Sequence, residues 1–166
     1  MAVPSAAPAA SGASVNQQLA KVKQAAARYH DVAVAEGDGY VSTEECVFSP
    51  DGTMGIHYVN FALLDDVIEA ERPEILVYIP SGEGLRLVAV EWLKPDADHD
   101  LTTDDDRPFL FGQPFNGPME GHEPAQPREF FHYDLHAWVW QANPAGMFED
   151  WNSMLSCPAH GPEAGA

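Results

Sequence analysis

Apolar positions first recur at steps of three and four: Val15, Leu19, Val22, Ala26 and Tyr29. That stripe is one face of a helix. Ser14 and Gln17 make an S-x-x-Q capping pair ahead of it. Gly37 and Gly39 supply a stop. The pattern predicts a helix over residues 15–35.

From Tyr40 the pattern changes. "YVSTEECVF" and "TMGIHYVNF" are rich in β-branched and aromatic residues, and "SPDG" (Ser49 to Gly52) between them is turn chemistry, so they predict a hairpin. "FALLDDVIEAERP" reads as a short helix or a loop before Pro73. "EILVYIP" and "LRLVAVEW", joined by "SGEG", predict a second hairpin. "KPDADHDLTTDDDRP" has no apolar period and reads as an acidic loop. "FLFGQPFNGPMEGHEPAQP" holds too much Gly and Pro for regular structure. A last strand follows in "REFFHYDLHAWVWQ", and Asn143–Pro144 resembles an N-cap with Pro at the first position of a short helix near "AGMFEDW". The sum is a β-rich α+β fold: a small antiparallel barrel or strongly curved sheet, with the N-terminal helix packed on it and a short C-terminal helix.

The segment "FFHYDLHAWVWQ" carries the candidate chemistry. As a helix it would set His132 and His136 at i and i+4, a zinc-binding spacing, but Tyr133 stands where an H-E-x-x-H motif places its glutamate. Its Phe, Tyr, Trp and Val favour a strand. On a strand, His132, Asp134, His136, Trp138 and Trp140 share one face, and Phe131, Tyr133, Leu135, Ala137 and Val139 the other. The second face is core; the first suits a cavity wall. Asp134 and His136 lie about 7 Å apart and can share a site, whereas His132 and His136, about 13 Å apart, meet at one ion only if the strand bends.

Two other strands offer partners. His57 shares its face with Gly55 and Val59, and Glu91 with Leu85, Leu87 and Ala89. A carboxylate ending an apolar strand face needs a partner when buried. His122, on the Gly/Pro loop before the last strand, is expected either to close the site from above or to act as an acid/base. His57, Glu91, His122, His132, Asp134 and His136 are therefore the candidate ligands of a transition-metal ion (Zn, Cu, Fe or Mn), which imidazole and carboxylate donors suit. His30, His99 and His160 carry no such pattern.

Other chemistries fare worse. "DADHD" begins like a calcium loop, but Leu101 replaces the required glycine and Arg107 the closing glutamate. There is no P-loop, G-x-G-x-x-G, G-x-S-x-G or Cys-x-x-Cys motif. A formal charge of −18 makes nucleic acid an improbable partner, because such a surface repels phosphates. No apolar run approaches the ~18 residues of a membrane-spanning helix. At 166 residues the chain is long enough for one core. The division expected is a flexible Ala/Pro/Ser leader (1–14), one domain (15–158) and a flexible tail (159–166). The leader is either the remainder of an export segment or an addition to the chain. Cys46 and Cys157 are either one bond closing most of the chain or two separate buried thiols.

"GTMGIHYVN", "RPEILVYIP", "LRLVAVEW", "LFGQPFNGPMEGHEP" and "HYDLHAWVWQANPAGMF" together resemble a family of small, exported bacterial proteins of uncharacterised function. The likeness spans residues 39–157. It implies a secreted or periplasmic location and a Cys46–Cys157 disulfide, and it implies no activity.

Three functions compete on this reading. The first is an exported metal-binding protein with a His/carboxylate site inside a small barrel, either an enzyme acting on a small molecule or a holder of the ion. The others are a metal-free small-ligand carrier and a structural protein whose histidines satisfy a polar network.

Overall fold

The computed structural model describes residues 12–123 and 126–158. Most of the leader, and the tail with His160, lie outside the described residues. Helix α1 (Gly12–Ala26) runs into a 3-10 turn, Ala27–His30, and then α2 (Val32–Gly37). The continuous helix expected over 15–35 is thus broken. Asp31 adopts an extended conformation and its side chain caps α2 by accepting from the Ala33 amide. At the other end α1 begins ahead of Ser14, so Ser14 lies inside the helix, where Gln18 Nε2 donates to its Oγ at 3.2 Å.

Both expected hairpins form. β1 (Val41–Ser49) pairs antiparallel with β2 (Gly52–Val59), and β3 (Ile75–Ser81) with β4 (Gly84–Pro95). The segment between the hairpins holds one 3-10 turn, Phe61–Leu63. β5 (Phe109–Leu110) and β6 (Gln113–Pro114) make a small separate hairpin. β7 (Asn116–Met119) and β8 (His132–Ala137) complete a six-stranded antiparallel sheet in the order β1-β2-β3-β4-β8-β7. The sheet is a curled half-barrel, open between β1 and β7.

The Gly/Pro-rich excursion therefore contains strands, contrary to expectation. β7 needs only a few ladder contacts, Asn116 with Asp134 and Met119 with His132, so it tolerates proline at the sheet edge. The C-terminal helix is absent. Asn143 Oδ1 accepts from the Ala145 amide in a turn, and Gly146 takes φ +144°, which a helix cannot use. The carbonyls of Met147 and Glu149 accept from the Trp138 backbone and indole N–H groups instead of from later amides.

The sheet buries a separate cluster on each face. On one, Val22, Ala26 and Ala35 of the helices pack with Tyr58, Leu76, Tyr78, Val90 and Trp92. The other groups Val59, Ile75, Val77, Ala89, Leu93 and Trp138. A bulge in β4, where Val77 faces Ala89 but Tyr78 faces Leu87, swaps the faces. Leu85 and Leu87 consequently pack on the helical side, and Glu91 shares its face with Ala89 and Leu93 rather than with them. In β8 the alternation holds to Ala137. Beyond the strand end Trp140 joins the helical side, where its ring meets His30 at 4.9 Å, while Trp138 stays on the other face.

Cys46 in β1 is bonded to Cys157, with Cα atoms 5.8 Å apart. An isolated bridge between Thr53 and Asn152 lays the last described segment against the same hairpin.

Candidate metal centre

Strand register assembles the site on the face away from the helices. Glu91 pairs directly with His136 across β4 and β8, and Leu93 with Asp134. His57 lies two strands from Glu91, through Val77 and Ala89 in β3 and β4. Alternate residues of β8 point the same way, so His132, Asp134 and His136 form one row.

The six candidate residues fall into two triads, His57–Glu91–His136 and His122–His132–Asp134, the ligand atoms of each lying within 4.8 Å of one another. His57 Nε2 is 3.4 Å and His136 Nδ1 3.8 Å from Glu91 Oε2. The imidazoles of His57 and His136 meet edge-on, with centroids 5.8 Å apart. In the second triad His132 Nε2 lies 3.9 Å from Asp134 Oδ2, and the ring of the exposed His122 stands 5.1 Å from that of His132. The strand does not bend to bring His132 and His136 together: each joins a different triad.

Four of these residues are buried, and each carries a polar atom without a hydrogen bond. His132 is 0% exposed, His136 1%, Glu91 5% and Asp134 8%. Glu91 Oε2, His132 Nε2, Asp134 Oδ1 and both ring nitrogens of His136 have no hydrogen bond. An orphaned buried polar atom costs ~1–3 kcal/mol, and these protein groups do not satisfy one another. His132 has one fixed contact: its Nδ1 lies 3.2 Å from the Phe130 carbonyl. That carbonyl can only accept, so the ring proton sits on Nδ1 and the Nε2 lone pair is free for a ligand.

The charge states suit a cation. Burial lowers the pKa of both His132 and His136 below the ordinary imidazole value, so these rings are neutral and carry lone pairs at neutral pH. For Glu91 burial opposes ionisation, but the imidazoles of His136 and His57 more than offset it, holding the carboxyl below the usual range. Asp134 is pushed well up by burial and by the Glu91 carboxylate against it. Two carboxyls thus abut at the wall of one cavity.

A cavity of about 520 Å³ opens beside both triads. His57, Glu91, His122, His132 and Asp134 line it together with apolar Met54, Val59, Ile75 and Leu93. His136 lies beneath Glu91, stacked on Trp138 at 5.8 Å. Sequence reasoning missed Asp150 and Asn116. Asp150 Oδ1 comes to 3.9 Å from His136 Nδ1 and accepts from Asn116 Nδ2 at 3.0 Å. Asn116 lies in the Gly/Pro stretch read as irregular and Asp150 in the stretch read as a helix, so neither reading pointed to this site. No protein-family model, curated protein or solved structure matches the chain.

Proposed function

We propose that this protein binds a divalent transition-metal ion through His57, Glu91 and His136 and uses its open coordination positions on a small molecule in the adjoining cavity. The observation that carries this reading is the convergence of half-buried His57 with Glu91 and His136, both buried and each presenting an unpartnered donor atom. Two neutral imidazoles and one carboxylate are the ligand set of catalytic zinc and of non-haem iron sites, in which the protein leaves positions vacant for water or substrate. Metal–ligand bonds of ~2.0–2.2 Å need donors about 3–3.5 Å apart, so the separations of 3.4 and 3.8 Å close with small rotamer shifts. An ion there would polarise a bound carbonyl or phosphoryl oxygen, or lower the pKa of a bound water.

The disulfide supports an oxidising, extracytoplasmic location. The likeness of residues 39–157 to exported bacterial proteins points the same way. Metal analysis of the protein, loaded with Zn²⁺, Mn²⁺ or Fe²⁺ and desalted, tests the reading. Bound metal in the parent protein, lost in His57→Ala and in Glu91→Gln, is the expected result. Full retention in both variants, or no metal in the parent, overturns it.

A further inference from the structure

We infer that the cavity holds two metal ions, the second in the His122–His132–Asp134 triad, with the abutting Glu91 and Asp134 carboxyls forming the wall between them. This rests on the single-ion reading above and extends it.

The second triad is built as a site in its own right. His132 is completely buried, and its Nε2 is unpartnered while Nδ1 is committed to the Phe130 carbonyl. Phe130 stacks on the same ring at 5.4 Å, which fixes its plane. A backbone carbonyl holding the far nitrogen is how metal-ligating imidazoles are oriented. Asp134 presents Oδ2 at 3.9 Å from that free nitrogen and buries Oδ1 without a partner. His122 closes the triad from the loop after β7, and the loop is shaped for it. The Pro127 carbonyl passes so close to Gly121 that no Cβ could stand there. The Gln126 amide returns to the His122 carbonyl at 3.0 Å.

One ion cannot serve both triads. His132 and His136 are four residues apart on a regular strand, so their Cα atoms are separated by about 13 Å. A single ion at Glu91 would leave His132 Nε2 buried and unpartnered; one at Asp134 would leave His136 so. Two divalent ions take up Glu91 Oε2, His132 Nε2 and one nitrogen of His136, leaving the other His136 nitrogen and Asp134 Oδ1 as the orphaned atoms named here. The ions belong to the class that imidazole and carboxylate oxygen bind together: Zn²⁺, Mn²⁺, Fe²⁺ or Co²⁺.

Metal stoichiometry tests this with Zn²⁺ and Co²⁺ as probes, measured by elemental analysis after dialysis against a slight excess of metal and desalting. Two ions per chain are expected in the parent protein, falling to one in His122→Ala and to one in His57→Ala. His122 is exposed, so its replacement leaves the core intact. His132→Gln is the second variant for the same triad, and it should also hold one ion. A parent protein with one ion, kept in His122→Ala and lost in His57→Ala, overturns the second site while the single-ion reading stands. One ion lost equally in both variants also overturns it, because the triads would then share that ion. No bound ion at all overturns both readings.

Discussion

His57 reaches across β3 to Glu91 on β4, its Nε2 3.4 Å from the carboxylate Oε2, although the contact lacks the direction of a hydrogen bond. The pair is close enough to share an ion and too poorly aligned to satisfy itself. This geometry predicts two effects for one substitution. Glu91→Gln removes a carboxylate that the folded state holds below its usual pKa, so the metal-free variant should be less stable than the metal-free parent at neutral pH. The same change should abolish the stabilisation that metal confers. Chemical denaturation with and without chelator reads both; a variant weakened equally in the two conditions would mean that Glu91 is only structural.

Metal should act as a structural clamp as well, since the donors come from β2, β4 and β8. A ligand at one hundred times its Kd adds about 2.7 kcal/mol to folding stability. For a chain of this size that is a rise in Tm of about 5–10 °C. Thermal melts of chelator-treated protein with added Zn²⁺ or Mn²⁺ should show it. The shift should be reversed by chelator and largely absent in His136→Ala. An unchanged Tm across a saturating titration contradicts a site built from three strands.

The sequence makes some of this site visible and hides the rest for physical reasons. Period-two alternation in β8 puts His132, Asp134 and His136 on one face without any knowledge of neighbours. The same logic in β4 misassigns Leu85 and Leu87, because a bulge leaves no local mark and swaps the faces beyond it. β7 is equally hidden: an edge strand with two ladder partners carries no hydrophobic period, yet it positions the loop that delivers His122. The C-terminal segment misleads in the other direction. Asn143–Pro144 has the chemistry of a helix start, but Trp138 takes the carbonyls of Met147 and Glu149, so the chain wraps and sets Asp150 beside His136. Which residues face inward is a local property; which of them meet depends on register.

The disulfide bears on the stability of the frame more than on the site. It joins β1 to the last described segment, and neither carries a triad residue. In the chain-entropy view a loop of this size gives ~4–5 kcal/mol, and measured values fall lower. Cys46→Ser with Cys157→Ser should therefore cost about 2–4 kcal/mol of stability while keeping the metal stoichiometry of the folded protein. Urea titrations read the first and elemental analysis the second. Loss of metal from a variant that remains folded would show that the bond shapes the cavity.

Glu74 gives a pH dependence independent of metal. It is 2% exposed, and burial pushes its carboxyl up to about 7. The charges of Asp65 and Glu91 add to that push, while the Leu93 amide, donating to Oε2 at 3.1 Å, works against it. In the unfolded chain the group titrates near 4.5. Between those values the unfolded state gives up its proton and the folded state keeps it, so this group's contribution is complete below pH 4.5 and is lost as pH rises to about 7. Glu74→Gln keeps an acceptor for the Leu93 amide and removes the titration. With metal chelated, it should equal the parent at low pH and exceed it above neutrality by on the order of 2–3 kcal/mol. Urea midpoints of parent and variant at pH 4.5, 6 and 7.5 make the comparison, and parallel curves for the two proteins would show that Glu74 titrates alike in the folded and unfolded states.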